Sequence, residues 1–360
     1  MTNKYWEKRV AQLLKENIQA TESLNAKTRK SMKETLLKIE KDIAYYIDKM
    51  AVEGNLSKTE VRKMLNREEM KALKMSLEEF YEINKEVVDK DTAKRLKPNI
   101  YALDRLEAMK LEAKKHIEVL YYKLEEDIVY FLGKTFLDSY YKTIYDTIQY
   151  RGFFDFDVIN YRKLDKIINT PWLPDGSNFS DSIWKDKTKL LNELEKSLVD
   201  MASKGTPVKE VSKNLAERMG VAQSRAETLI RTENAYFSNE AMSEAFQEGT
   251  AKEYEIVATL DLRTSSICRS MDGKVFKYSE KVIGVNHPHF HPNCRTTIVP
   301  HFGDDIEKAL GTTRMARDPL TGKSVRVDRM TYPEWYEKYV ASNHDALQAE
   351  KDLRKKKRKK

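Results

Sequence analysis

Two stretches decide how this chain is read: Asp261-Leu-Arg-Thr-Ser-Ser-Ile-Cys268-Arg-Ser-Met-Asp-Gly-Lys-Val-Phe276 and His291-Pro-Asn-Cys-Arg-Thr-Thr-Ile-Val-Pro300. Asp272-Gly273 is turn chemistry, because glycine supplies the positive φ that other residues resist. Around it lie β-prone runs at Tyr254–Thr259, Val275–Tyr278 and Thr296–Val299, rich in branched and aromatic side chains. Upstream, a helical pattern runs from about Ala222 to Gln247, and Gly249 is a good stop. A small α+β domain is therefore expected over about 221–310.

Working outward, the first half is helical. Met32, Leu36, Ile39, Ile43, Tyr46, Ile47 and Met50 recur at three- and four-residue steps, as do Ile117, Leu120, Tyr121, Leu124, Ile128, Phe131 and Leu132. Such spacing puts one apolar stripe on each helix. Only Pro98 precedes Pro171, so little interrupts long helices. Gly54-Asn55 and Lys97-Pro98-Asn99 are the expected breaks. The expected organisation is a long-helix bundle over 1–150, with coiled-coil arms as the alternative, and a helical connecting region over 151–220. The α+β domain over 221–310 follows, then a C-terminal extension over 311–345 and a disordered basic tail over 346–360. In the connecting region, Leu190, Leu191, Leu194 and Leu198 mark one helix. Thr206-Pro207 opens the next, as N-cap and first helical residue. Tyr332 to Tyr339 reads as a short helix.

The formal charge is +8, but its location matters more than its size. Arg354, Lys355, Lys356, Lys357, Arg358, Lys359 and Lys360 carry +7 of it, so the other 353 residues sum to +1. The body is near neutral and the tail is cationic. Such a tail neutralises phosphates by counterion release. It has no aromatic interleaving, so the expectation is DNA contact without sequence preference; a solvated solubility tail is the alternative. The N-terminal residues lack a secretory pattern, no window approaches a bilayer span, and two cysteines fit a reducing compartment.

Five of the six histidines and both cysteines follow residue 267. Cys268, His291, Cys294 and one of His287, His289 or His301 offer four nitrogen and sulfur ligands to structural zinc. The set taken forward is Cys268, His289, His291 and Cys294. A reduced, buried cysteine pair with surface histidines is the plain alternative. Zinc deaminase chemistry fails, because no glutamate follows the histidines at the position that moves protons. A histidine-metal nuclease needs His287, His289 and His291 on one strand face, and Pro288 and Pro292 oppose that strand.

Together with Arg231-Thr-Glu-Asn-Ala on the preceding helix, the order and spacing of these motifs resemble the phage head morphogenesis family, the Mu F-like minor head proteins. The resemblance is specific over about 220–302 and looser back to about 170. There, Asn178-Phe179-Ser180-Asp181-Ser182-Ile183-Trp184 is similar to what precedes the domain in members from phages of Gram-positive hosts. Many members carry further cysteines where this chain has Ser265 and Thr296.

The resemblance implies a virion component inside the head, near the portal, acting in head assembly and DNA handling. Its implied partners are the portal protein, phage DNA and scaffolding or major capsid protein, with no membrane; the bacterial cytoplasm is the place of assembly. No catalytic residue is expected. Arg231, Glu233, Asp261 and Arg263 are expected to form a buried polar network that fixes helix on sheet, with Glu227 four residues before Arg231 on the same face. The enzymatic alternative is an ADP-ribosyltransferase-like site using Arg231 and Glu233. It lacks the usual second glutamate after the strands. A toxin carrier sharing the head domain would need a further module, for which the residues after 305 are too few.

Overall fold

The computed structural model describes residues 4–53, 98–173, 175–204, 208–301 and 313–358. The fold is α+β, with a helical first half. Its order is α1 (Lys4–Glu53), α2 (Pro98–Arg151), α3 (Tyr161–Asn169), α4 (Phe179–Lys204), α5 (Val208–Glu248), β1 (Glu253–Val257), α6 (Ser266–Met271), β2 (Val275–Lys277), β3 (Thr297–His301), β4 (Thr313–Arg317), β5 (Ser324–Asp328), α7 (Tyr332–Tyr336) and α8 (His344–Arg358). Among the described residues no helix is long and apolar enough to cross a membrane.

The chain divides into two compact units. One comprises residues 25–127 and 179–227, and the other residues 1–24, 128–178 and 228–360. The first is helical throughout its described residues. Ion pairs give its neighbour order. Lys27–Asp127 and Asp42–His116 join α1 to α2, Lys187–Glu118 joins α2 to α4, Arg218–Glu193 and Arg225–Asp186 join α4 to α5, and Arg29–Glu227 joins α5 to α1. The four segments thus close on one another as a bundle. Met32, Ile39, Ile43, Ile117, Leu124, Leu190, Leu194, Leu198, Leu215 and Met219 fill its interior, on the three- and four-residue spacing that the sequence shows. The packing does not follow the expected boundaries at 150 and 220, because α4 and the first part of α5 complete this bundle.

In the second unit, β1 is the centre of a three-stranded antiparallel sheet ordered β2-β1-β3. Tyr254 faces Phe276 on one side and Pro300 on the other. Leu13, Met242, Phe246, Tyr254, Ile256, Met271 and Ile298 form the core that seats helix on sheet. Small polar residues let the helices approach: Ser139 and Ser238 hydroxyls are 3.1 Å apart, and Asn17 donates to Ser238 at 2.9 Å.

α5 is a single helix through Gly220, running across the domain boundary expected at 220; the proposed cap at Thr206-Pro207 lies outside the described residues. Its end falls at Gly249, as expected, though for a steric reason. Thr250 takes the positive φ, at 65°, while a Cβ on Gly249 would sit 2.4 Å from Thr147 Cγ2.

Three further elements differ from the sequence reading. The six-residue α6 stands between β1 and β2, capped by the Ser265 hydroxyl, which accepts from the Cys268 N–H. The extension over 311–345 contains the β4–β5 hairpin, paired from Thr313–Asp328 to Arg317–Ser324. The tail expected to be disordered from 346 is helical through Arg358. Charge alone suggested fraying, but Asn343 Oδ1 caps the Asp345 and Ala346 N–H groups, and buried Glu350 anchors the helix side.

Candidate functional site: a helix–sheet anchor

The Arg231-Thr-Glu-Asn motif turns four successive side chains to four different partners. Arg231 pairs with Glu22 of α1 at 3.1 Å. Thr232 Oγ1 accepts the Asn293 N–H at 3.1 Å, in the turn before Cys294. Glu233 Oε2 accepts Trp172 Nε1–H at 2.9 Å. Asn234 Oδ1 accepts the Thr135 hydroxyl of α2 at 3.2 Å. Consecutive helical residues point in directions about 100° apart, so one motif can reach every element packed around α5.

Glu233 is completely buried, and burial pushes its carboxyl up to about 7 against the pull of Trp172. Trp172 stacks on Tyr236 with centroids 4.1 Å apart. The turn around Pro171 therefore carries an aromatic cover for this carboxylate. The carboxylate on which the ADP-ribosyltransferase-like alternative rests is thus buried beneath an indole in this structure.

Asp261 has its own partner. Its carboxylate accepts both Arg295 nitrogens, at 2.5 and 2.9 Å, and also the Arg263 N–H and the Thr264 hydroxyl at 2.9 Å each. Burial alone would raise this acid. The two-pronged guanidinium and the local donors outweigh it and hold the carboxyl below its ordinary range. Arg263 contributes its backbone, and its side chain is exposed. The expected single network of Arg231, Glu233, Asp261 and Arg263 is thus corrected to separate tethers. The spacing on the helix and in the loop sends each group to a different neighbour.

Sequence reading missed the second staple. Asp272, read only as a turn residue, accepts Arg314 at 2.7 and 2.9 Å, the Ala258 N–H at 2.6 Å and the Tyr332 N–H at 2.7 Å. Arg314 also donates to the carbonyls of Met330 and Ala258. One buried pair so joins β1, α6, the hairpin and α7. Arg269 does similar work: it donates to the Thr264 and Leu262 carbonyls, lies over the Tyr332 ring and pairs with Glu350 at 3.0 Å. The two ion pairs, Asp272–Arg314 and Arg269–Glu350, span 42 and 81 residues, separations at which no periodicity signals a pair.

The cysteine–histidine residues divide. Cys268 Sγ lies 3.7 Å from Cys294 Sγ and 3.2 Å from His291 Nε2, and Ser265 Oγ lies 2.8 Å from that nitrogen. Sulfur–sulfur hydrogen bonding holds the Cys294 thiol low and pushes the Cys268 thiol up. His289 stands outside this cluster. Its ring meets Trp172 edge to face at 5.6 Å, and burial pushes its pKa down to about 4. The alternation of His287, His289 and His291 does not put them on one strand, because turns occupy this segment. His287 is fully buried near Glu240, at 3.5 Å, and burial pushes its pKa down to about 3.

Residues 192–299 match the model of the family described as phage Mu protein F like protein. This segment belongs to the Mu F-like head morphogenesis family. The match takes in the Arg231 motif, the Asp261 loop, α6 and the Cys294 turn, and stops before the hairpin. No curated protein and no solved structure matches the chain. The Mu F-like family is one of structural head proteins. The anchoring geometry agrees with that class, since its charged groups are spent on holding elements together.

Of the basic terminal residues, Arg354 pairs with Glu350 at 3.0 Å while staying largely exposed, and Lys355 is exposed on α8. Lys356, Lys357 and Arg358 continue that helix; Lys359 and Lys360 lie outside the described residues.

Proposed function

We propose that this chain is a minor head protein, a virion structural component held inside the head near the portal, which acts in head assembly and in packaging or ejection of DNA. The observation that carries the reading is the Arg231-Thr-Glu-Asn anchor within the Mu F-like segment. Its carboxylate is sealed under Trp172, and its other three side chains tie α5 to α1, α2 and the Cys294 turn. A motif used this way builds a rigid body for docking. The portal protein is the proposed principal partner, with scaffolding or major capsid protein contacted during assembly in the bacterial cytoplasm. Co-expression with the portal protein of the same phage, followed by affinity purification, tests this. A stable complex that survives moderate salt is expected; recovery of the two proteins in separate fractions would overturn the portal assignment.

DNA contact is assigned to the basic end of α8 and the residues beyond it. The exposed face of α8 adds Lys355 to the terminal cations, and each neutralised phosphate adds about 0.9 to the logarithmic salt slope. Truncation after Leu353 should flatten that slope by several units and weaken binding equally across sequences. An unchanged slope would remove the tail from the account.

A further inference from the structure

Two thiols and one imidazole converge beside the anchor without serving it. The ligand atoms of Cys268, His291 and Cys294 all lie within 4.8 Å of one another. Both cysteines are buried. The backbone builds the arrangement from two short pieces. Cys268 sits in the first turn of α6, just after its Ser265 cap. His291 and Cys294 are brought to one side by a tight turn: the Cys294 N–H donates to the His291 carbonyl at 3.0 Å, and Asn293 takes a φ of 59°.

The spacings discriminate between fates of this pair. A disulfide brings its sulfurs to about 2.05 Å. A tetrahedral zinc with zinc–sulfur bonds of about 2.3 Å holds two thiolates about 3.8 Å apart. The observed separation is 3.7 Å. The imidazole is also oriented for ligation. His291 Nδ1 lies 2.9 Å from the Pro292 carbonyl, an acceptor only, so Nδ1 carries the proton and donates. Nε2 then turns its lone pair towards the sulfurs, which is how outer partners fix ligating histidines.

We propose that Cys268, His291 and Cys294 bind one zinc ion through two thiolates and His291 Nε2. A water beside the Ser265 hydroxyl closes the fourth corner. Two thiolates and a neutral imidazole cancel the charge of Zn²⁺, which suits a buried position. Binding releases the two thiol protons to solvent and changes no oxidation state. His289 is not a ligand; its nitrogens do not join the ligand atoms that lie within 4.8 Å of one another. The metal pins α6 to the turn that Thr232 also holds, so the site reinforces the sheet–helix seat. This assignment stands apart from the head-protein reading and does not depend on the portal.

The test uses the full chain purified under reducing conditions, with elemental analysis and Co²⁺ substitution. About one zinc per chain is expected, with a cobalt spectrum showing thiolate charge transfer. Cys268→Ser, Cys294→Ser and His291→Ala should each lose most of the metal, while His289→Ala keeps it. Ser265→Cys places a third thiolate at the fourth corner and should resist a competing chelator at least ~10-fold better. That gain needs no destabilised variant to be interpretable. A wild-type chain with no stoichiometric zinc and no cobalt–thiolate band would overturn the proposal. So would a mass two protons lower from a Cys268–Cys294 disulfide, or loss of metal in His289→Ala.

Discussion

The two compact units are held together in different ways. In the bundle of residues 25–127 and 179–227, the described interior is built mainly from apolar side chains, and its ion pairs lie at the rim. Arg218 and Glu193, for example, are 54% and 36% exposed. In the unit carrying the Mu F-like sheet, several ion pairs are inside, while others, such as Lys338–Asp328, stay at the surface. The Asp272 side chain is fully buried and its Arg314 partner is 14% exposed. Rim pairs gain little, because water screens them and ordering long side chains costs entropy. Buried pairs are satisfied at every donor and acceptor or they destabilise. The bundle should therefore tolerate loss of a charge and resent loss of a methylene group, and the sheet unit should show the reverse sensitivity.

The sharpest break of that contrast is Arg314→Met. It leaves the Asp272 carboxylate buried with only backbone donors, and the expected loss is about 3–5 kcal/mol in denaturant unfolding. A loss under about 1 kcal/mol would place the pair with the rim pairs. Leu194→Ala, in the bundle core, should cost about 2–4 kcal/mol through lost burial and a residual cavity, with no dependence on pH.

Glu233→Gln should stabilise progressively above about pH 4.5, with the full gain reached above about pH 7. The unfolded carboxyl ionises near its ordinary 4.5, whereas the folded one keeps its proton to about 7. Between those values the native state binds more protons, so stability falls as pH rises through the window. Glutamine keeps the acceptor for Trp172 and removes the ionisation. A gain on the order of 2 kcal/mol at pH 8, absent at pH 4, is expected from parallel unfolding curves. Equal effects at both values would contradict the buried-acid account. The smallest effect belongs to Arg218→Met, with a change under about 0.5 kcal/mol that shrinks further in salt.

The same contrast explains what the sequence could and could not say. Ile39, Ile43, Leu120 and Leu124 are spaced by helical geometry, so the bundle's apolar face is visible in the chain. The strands at Tyr254, Val275 and Thr297 are equally visible, because branched and aromatic runs flank a glycine turn. Which helices close the bundle is not visible, since α4 and α5 reach α2 and α1 across long sequence distances. Nor are the staples: Asp272–Arg314 and Arg269–Glu350 are pairings of single residues without local pattern. Asp261 and Arg295 were both recognisable as motif members, but nothing in the sequence paired them. Cys268, His291 and Cys294 announced themselves by falling, with His287, His289 and His301, in one stretch of a chain otherwise poor in such residues. His289 shared that signal, and only its three-dimensional placement separates it from the three.

The proposed function puts this chain inside the phage head. Quantitative mass spectrometry of virions purified through a density gradient tests it most directly. The account predicts the chain in DNA-filled particles, at a fixed low ratio to the portal protein and resistant to protease added outside. Its absence from purified particles, with the protein recovered only in the soluble lysate, would contradict the claim.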